Sequence, residues 1–506
     1  MPRDYCHIEM DIAITGFFSE YLPPCFMLNQ HFFRYPPTQN CDLIPPVCFT
    51  MSRYNGNDSR RNIFIPEIGS YIAAQQYMKQ EHIIQELIEF SETSDVSFSP
   101  ILGDEDSIVR HEQSYEQLKA ENQQISSNYI DNIARKIIRS VGAKHILKLD
   151  ISNCFSSFYM HMIPAILLGM EGAEAEYIKY LKDKNDGTIN PLYLKYSQLD
   201  SVLRRQSLNR TNGLLTGTLY SKIIAESILT RVDKELETQG IKFSRYVDDY
   251  DVYLYNDSEE KQIASIFEKT LKRYGFTLNS EKTELVDFPY YVAENLEQIF
   301  RGQVKKPLSN AETIKLFNSF LSLEKTGTKG ATRYLLKSME KSPIETTNFE
   351  LYKSYLLTIL SSNERSLTKA CSLLLGDRDH IELTKSNVDF ITNLLRSHLE
   401  CEHDLEAIWL TYLLIQTDTI EKGDDTVSLI VASNNELAQL LLLQGDLLLE
   451  GQLEQIKGNA TSWILLYELY LSDYIDEHDF VNRLNIRHNL NMYQHFKRSN
   501  LHFCVL

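Results

Sequence analysis

The chain has 506 residues, 43% hydrophobic and 24% charged, with a net charge of −18 at pH 7. That composition fits a soluble globular protein of two or three domains, with no apolar run long enough to span a membrane. The acidic balance argues against a general duplex binder, because affinity for a phosphate backbone rests on Lys and Arg, so any nucleic acid must meet a local basic groove.

The eight cysteines are scattered, with no Cys-x-x-Cys and no Cys/His zinc spacing. They read as reduced thiols of a cytosolic protein, and no zinc is expected. The N-terminus, Met1-Pro-Arg-Asp-Tyr-Cys, lacks the charged-then-apolar pattern of a signal peptide.

Eight of the fourteen prolines fall between Pro2 and Pro66. Residues 1–60 therefore read as an irregular, extended arm with few long helices. Its aromatics, among them Phe17, Phe18, Phe26 and Phe32, suggest that it is packed or covered by a partner. From Arg61 the pattern changes. Arg61-Asn-Ile-Phe-Ile-Pro66 reads as a short strand, Gly69 to Phe90 as a helix, residues 91–107 as loop, and Ser114 to Arg139 as helix again.

Lys144 to Leu149 is an apolar strand that delivers Asp150 at its end. By itself Asp150 also suits a helix N-cap. Asn212-Gly-Leu-Leu-Thr-Gly-Thr-Leu-Tyr-Ser221 is glycine-punctuated and precedes an apolar helix that carries Glu226. Phe243 to Tyr255 reads as a β-hairpin, with Asp248-Asp249 between its arms. Two adjacent carboxylates repel, and each raises the other's pKa. A divalent cation relieves that, and Mg²⁺ in polymerase sites takes one or two carboxylates plus substrate phosphates. Two metal ions about 3.5–4 Å apart need carboxylates from separate elements. Asp150 and the Asp248-Asp249 pair supply them if their strands are neighbours.

After Pro307 one proline remains, Pro343, and the chain becomes a series of amphipathic helices. Tyr352, Tyr355, Leu356, Ile359 and Leu360 follow helical spacing, as do Leu405, Ile408, Trp409 and Tyr412. No strict repeat signature is present, and both a helical-repeat solenoid and an irregular bundle fit.

Three stretches, in this order, resemble the palm of a reverse transcriptase. They are Leu149-Asp-Ile-Ser-Asn-Cys-Phe155, Tyr246-Val-Asp-Asp249 and Phe276-Thr-Leu-Asn-Ser-Glu-Lys-Thr283. Where that family usually shows Pro-Gln-Gly-Ser, this chain has Leu215-Thr216-Gly217-Thr218, keeping the glycine and losing the template-handling glutamine. The wording around the motifs, including Arg61-x-Ile-x-Ile-Pro66 and Arg245-Tyr-Val-Asp-Asp-Tyr250, resembles the defence-associated bacterial branch. The helical layout after the palm resembles the abortive-infection polymerases of the AbiK and AbiA kind.

That resemblance implies an α+β fold: an N-terminal arm (1–60), reverse-transcriptase-like fingers and palm (61–300), and an all-α, HEAT-like helical-repeat domain (308–506) in place of a thumb. It implies Asp150, Asp248 and Asp249 as ligands of two Mg²⁺ ions, with Mn²⁺ as a substitute, and deoxynucleoside triphosphates as substrate. Lys282 would stand near the leaving pyrophosphate, Arg60 and Arg61 would contact the triphosphate, Phe155 would act as a sugar gate, and Gly217 would line the nucleotide site. The plain alternatives are a surface pair for Arg60 and Arg61, an exposed lysine at 282 and a core aromatic at 155. Tyr159 and His161 read as structural. Arg204 and Arg205 suit either a growing strand or a solvated loop.

The resemblance further implies a bacterial cytoplasmic protein that makes single-stranded DNA without a template in phage defence. Its product would stay attached to a priming tyrosine, and the chain would form a homo-oligomer. A priming side chain needs a mobile segment, so Tyr5, Tyr21, Tyr35 and Tyr54 are the candidates. A templated retron-like reverse transcriptase and a non-catalytic palm scaffold with a partner-binding helical half are the competing readings.

Overall fold

The computed structural model describes residues 3–35, 41–52, 60–103, 106, 108–110, 123–125, 129–256, 258–291, 295–304 and 307–506. Strands β1 (Val47–Ser52) and β2 (Arg60–Ile65) pair antiparallel, with Val47 opposite Ile65. Strands β3 (Ile108–Arg110) and β4 (Gln123–Ile125) make a short parallel pair. The remaining four are β5 (His145–Asp150), β6 (Phe243–Tyr246), β7 (Asp249–Leu254) and β8 (Glu284–Asp287). They form one sheet in the order β6-β7-β5-β8, with every neighbour antiparallel.

Side chains alternate across this sheet. Phe243, Arg245, Tyr250 and Val252 are buried on one face. There Phe267 of helix Glu260–Arg273 sets its ring centroid 5.7 Å from that of Phe243 and 5.3 Å from that of Tyr250. Helix Leu219–Thr238 lies beside it and buries Ile223, Ile224, Ile228, Val232 and Leu236. The other face carries Lys148, Asp150, Asp249 and Asp251. Helix Tyr129–Arg139 reaches that face, where Lys136 Nζ donates to Asp251 Oδ2 at 2.6 Å.

Two expected helices are shorter than their sequence suggests. The stretch from Gly69 to Phe90 is two helices, Ile68–Gln80 and Ile83–Ser91, broken at His82 with φ 54°. Left-handed backbone at a non-glycine residue ends an α-helix. Of the stretch from Ser114 to Arg139, Tyr129–Arg139 is helical and Gln123–Ile125 is strand.

Beyond residue 307 the described residues are helices and their links. Helices Ala331–Lys341, Glu364–Gly376, Asp404–Gln416, Glu436–Gln444, Trp463–Leu471 and Leu490–Arg498 stack one on the next as an inner row. Residues 405–414 of Asp404–Gln416 and all of Trp463–Leu471 are buried on every face, Glu406 and Glu468 included. Asp404–Gln416 also packs on β1.

The described residues among the first 60 include a helix, Tyr5–Thr15, and pack on the last helices. Phe17 and Phe32 are fully buried, and Phe32 stacks on Phe503 at 4.6 Å between centroids. Each such ring contributes about 1.5–3 kcal/mol by leaving water. Met27 N–H donates to the Phe503 carbonyl and Val505 N–H to that of Cys25, so the C-terminal tail pairs with the arm. Trp409 Nε1 donates to the Tyr21 carbonyl at 2.7 Å. No helix among the described residues is long and apolar enough to cross a membrane.

Candidate active site

Three carboxylates meet at one end of the palm-like sheet. β5 and β7 are in register so that Asp150 faces Asp249, and Ile151 N–H donates to the Asp248 carbonyl at 3.1 Å. This is the neighbour relation that the motif order required.

The hairpin turns one residue earlier than the sequence suggests. Tyr246 pairs with Asp249, so Val247 and Asp248 are the two turn residues and Asp249 opens β7. Val247 has φ 55°, a costly conformation for a β-branched residue. It is held there by Arg245, whose Nη1 donates to the Val247 carbonyl at 2.9 Å. Arg245 is itself fully buried. It bonds both oxygens of Asp233 at 2.8 and 3.0 Å, and both oxygens of Glu226 at 2.7 and 2.9 Å. Burial pushes Asp233 up to about 6, against the pull of Arg245. The partner of Glu226 on its apolar helix, and the whole role of Asp233, lie in this network. The motif position of Arg245 before Tyr246 was the available signal.

Burial and then Asp150 raise the pKa of Asp248, while Arg61 and Lys282 act to lower it. Burial, followed by Asp248 and Asp150, pushes Asp249 up to about 7. The contact with the Asp150 side chain acts in the same direction. Lys282 Nζ lies 2.6 Å from Asp150 Oδ1, and Asn279 Nδ2 donates to Asp150 Oδ2 at 3.3 Å. The ammonium of Lys282 thus stands in for part of the positive charge this cluster calls for. Three convergent hard oxygen donors, raised pKa values and a cation drawn to their edge fit a divalent ion of the Mg²⁺ type.

The nucleotide-side residues divide. Arg61, exposed on β2, acts electrostatically on Asp248. Arg60 does not join it, which corrects the expectation for this residue. Its guanidinium is 12% exposed, bonded to Glu406 and paired with Glu364 at 3.2 Å. Successive strand residues face opposite ways, and Arg60 faces the helical half. Gly217, with φ 128°, lies against β2: an added Cβ would stand 2.6 Å from the Phe64 carbonyl oxygen. Phe64 N–H donates to the Thr216 carbonyl at 2.7 Å, so the altered motif is bonded to the strand that carries Arg61. Phe155 is half-buried beside that loop, and its carbonyl accepts from Leu214 N–H at 2.9 Å.

Arg204 and Arg205 are committed internally, to Asp200 and to the Cys41 carbonyl. His161 bonds Asp200 at 2.7 Å but is 42% exposed, so it is a partnered surface group and not a core one. Of the tyrosines, Tyr5 lies in the first helix, Tyr21 is half-buried, and Tyr35 stacks on His495 at 4.8 Å. Tyr54 lies outside the described residues.

Residues 107–298 match the family described as reverse transcriptase (RNA-dependent DNA polymerase). This part of the chain is a reverse-transcriptase-like polymerase domain. No curated protein matches the sequence. Among solved structures, the chain resembles telomerase of Candida tropicalis in complex with a TWJ fragment of telomeric RNA, at 14% identity and a TM-score of 0.35 over 79% of this chain and 64% of that one. It also resembles apo telomerase of Candida tropicalis, at 12% identity and a TM-score of 0.33 over 80% and 70%. Telomerase of Candida albicans with a TWJ fragment gives 12% and 0.30 over 76% and 67%. The chain therefore spans less than two thirds of the length of the first of these.

Proposed function

We propose that this reverse-transcriptase-like chain is a protein-primed, template-independent DNA polymerase acting in abortive-infection defence against phage. The convergence of Asp150, Asp248 and Asp249 beside Lys282 carries the polymerase part of the reading. Thr216 in place of the template-handling glutamine, and the net charge of −18, favour synthesis without a bound template. The stacked row of helices after residue 307 supports a helical-repeat domain in the place of a thumb.

Asp150, Asp248 and Asp249 would hold two Mg²⁺ ions, which when bound supply charge neutralisation on the attacking and leaving oxygens. Phosphoryl transfer otherwise asks mainly for positioning. Arg61 binds and orients the triphosphate from β2. Lys282, released from Asp150, protonates or screens the leaving pyrophosphate. Phe155 crowds a ribose 2′-hydroxyl. Gly217 lets the altered motif close on β2, which keeps Arg61 in reach of the carboxylates. The Arg245–Glu226–Asp233 network fixes the Val247 turn, and with it the direction of Asp248.

The primer is a tyrosine hydroxyl of the chain or of a second copy. Phenols ionise more readily than serine hydroxyls.

The test is to incubate purified protein with Mg²⁺ and labelled deoxynucleotides, without template, and then to denature and protease-digest it. Label that stays on a peptide supports the reading. Label that appears only after RNA is added supports a templated retron-like enzyme, and label that leaves the protein on denaturation rules out protein priming. No incorporation under any condition returns the chain to a scaffold.

A further inference from the structure

The helical half brings together three side chains that sequence spacing does not connect. Glu364 opens helix Glu364–Gly376, His398 lies in the last turn of helix Lys385–Glu400, and His403 precedes helix Asp404–Gln416. One nitrogen or oxygen from each lies within 4.8 Å of the other two. His398 Nδ1 is 3.1 Å from His403 Nδ1, and Glu364 Oε1 is 3.5 Å from the same atom.

These distances have a chemical meaning. A tetrahedral Zn²⁺ about 2.0–2.1 Å from each ligand sets neighbouring ligand atoms about 3.3–3.4 Å apart. The two measured separations fall on either side of that value. A proton shared between the two imidazoles accounts for one of the contacts only.

Two imidazole nitrogens and one carboxylate oxygen suit a borderline ion of the zinc type, whereas Mg²⁺ prefers all-oxygen sites. Charge does not forbid a cation there. Arg60 is the nearby positive group, and it is offset by Glu406 and by the second oxygen of Glu364. Glu364 is 41% exposed, so the site is open on one side.

We propose that Glu364 Oε1, His398 Nδ1 and His403 Nδ1 bind one zinc-type divalent ion at the seam between the β1–β2 hairpin and the helical half. The seam is already bonded around this point. Thr50 N–H donates to Asp404 Oδ2 at 2.9 Å, Thr50 Oγ1 donates to the Glu402 carbonyl at 2.9 Å, and Arg60 joins β2 to Glu364. The ion would pin three helix ends against β2 and add to thermal stability by binding only the folded chain. The site shares no residue with the carboxylate cluster of the palm, and it does not depend on the polymerase reading.

The experiment strips the full-length protein with a chelator and dialyses it against Zn²⁺ in excess Mg²⁺, which occupies the palm carboxylates. Bound zinc is then counted. The expected result is about one zinc per chain, with a raised Tm and, with Co²⁺ instead, the intense visible bands of a tetrahedral ion. His403→Asn abolishes these. Glu364→Gln, at a half-exposed position that tolerates change, weakens binding by more than the roughly tenfold typical of outer-shell losses. Asp248→Asn with Asp249→Asn leaves zinc in place. A wild-type chain that binds no zinc overturns the site. So does zinc that survives unchanged in both Glu364→Gln and His403→Asn.

Discussion

Arg60 and Arg61 are adjacent on β2 and serve opposite sides of it. Arg61 acts on Asp248 of the palm, whereas Arg60 is held in an ion pair with the buried Glu406 of the helical half. The two substitutions should therefore separate. Arg61→Ala leaves stability within about 0.5 kcal/mol, as an exposed site does, and raises KM for deoxynucleoside triphosphates. Arg60→Ala strands Glu406, which is 1% exposed and already pushed up to about 7 by burial. The cost is about 1–3 kcal/mol above pH 7. It shrinks towards pH 5, where Glu406 takes up a proton. A carboxyl whose folded pKa is raised favours the folded state at low pH and loses that advantage as pH rises through the folded value. Denaturant melts of both variants at two pH values check this; equal losses in both would remove the division of labour.

If these carboxylates serve a cation and not packing, as proposed, Asp248→Asn with Asp249→Asn abolishes nucleotide incorporation and leaves the fold intact. The metal-free wild type has raised pKa values at both positions. Its Tm should fall as pH climbs from about 4 towards 7, as these groups lose their protons against the repulsion of Asp150. Added Mg²⁺ should restore more Tm at pH 8 than at pH 5. The double variant shows a shallower slope, the part left by Asp233 and Glu406, and no Mg²⁺ response. Melting curves with and without Mg²⁺ decide it, and incorporation by the variant would end the catalytic assignment.

Phe155→Ala relaxes the preference for deoxynucleotides. The ring is half-buried beside the Gly213–Leu214 loop, five residues after Asp150. Relative kcat/KM for a deoxynucleotide and its ribonucleotide is the measurement. If the variant discriminates as the wild type does, Phe155 is a packing residue.

Gly217→Ala should lower nucleotide incorporation through β2. At φ 128° any side chain is strained, and the new Cβ meets the Phe64 carbonyl oxygen, a backbone atom that cannot swing away. The loss is about 1–3 kcal/mol of stability, together with a kcat/KM defect larger than that of Arg61→Ala, because the whole strand shifts. A variant with normal activity and Tm would mean that the loop and β2 do not need this close approach.

The amino-acid sequence by itself determined the parts whose signals are local. Alternation marks the hairpin arms and β5, proline bars long helices from much of the first part, and helical spacing marks the chain after Pro307. The order of Asp150, Gly217, Asp248, Asp249 and Lys282 is enough to identify a reverse-transcriptase-like palm. The turn at Val247–Asp248 escaped because Asp-Asp is the better turn dipeptide. The strained Val247 is held by Arg245, and the fully buried groups that hold Arg245 come from another helix. The division between Arg60 and Arg61 escaped because two arginines in a row look alike until a helix packs on one side of their strand. The meeting of Glu364, His398 and His403 was invisible for the same reason. Residues 34 positions apart become neighbours only when helices stack, and stacking is driven by apolar burial that says nothing, position by position, about which polar side chains it will bring face to face.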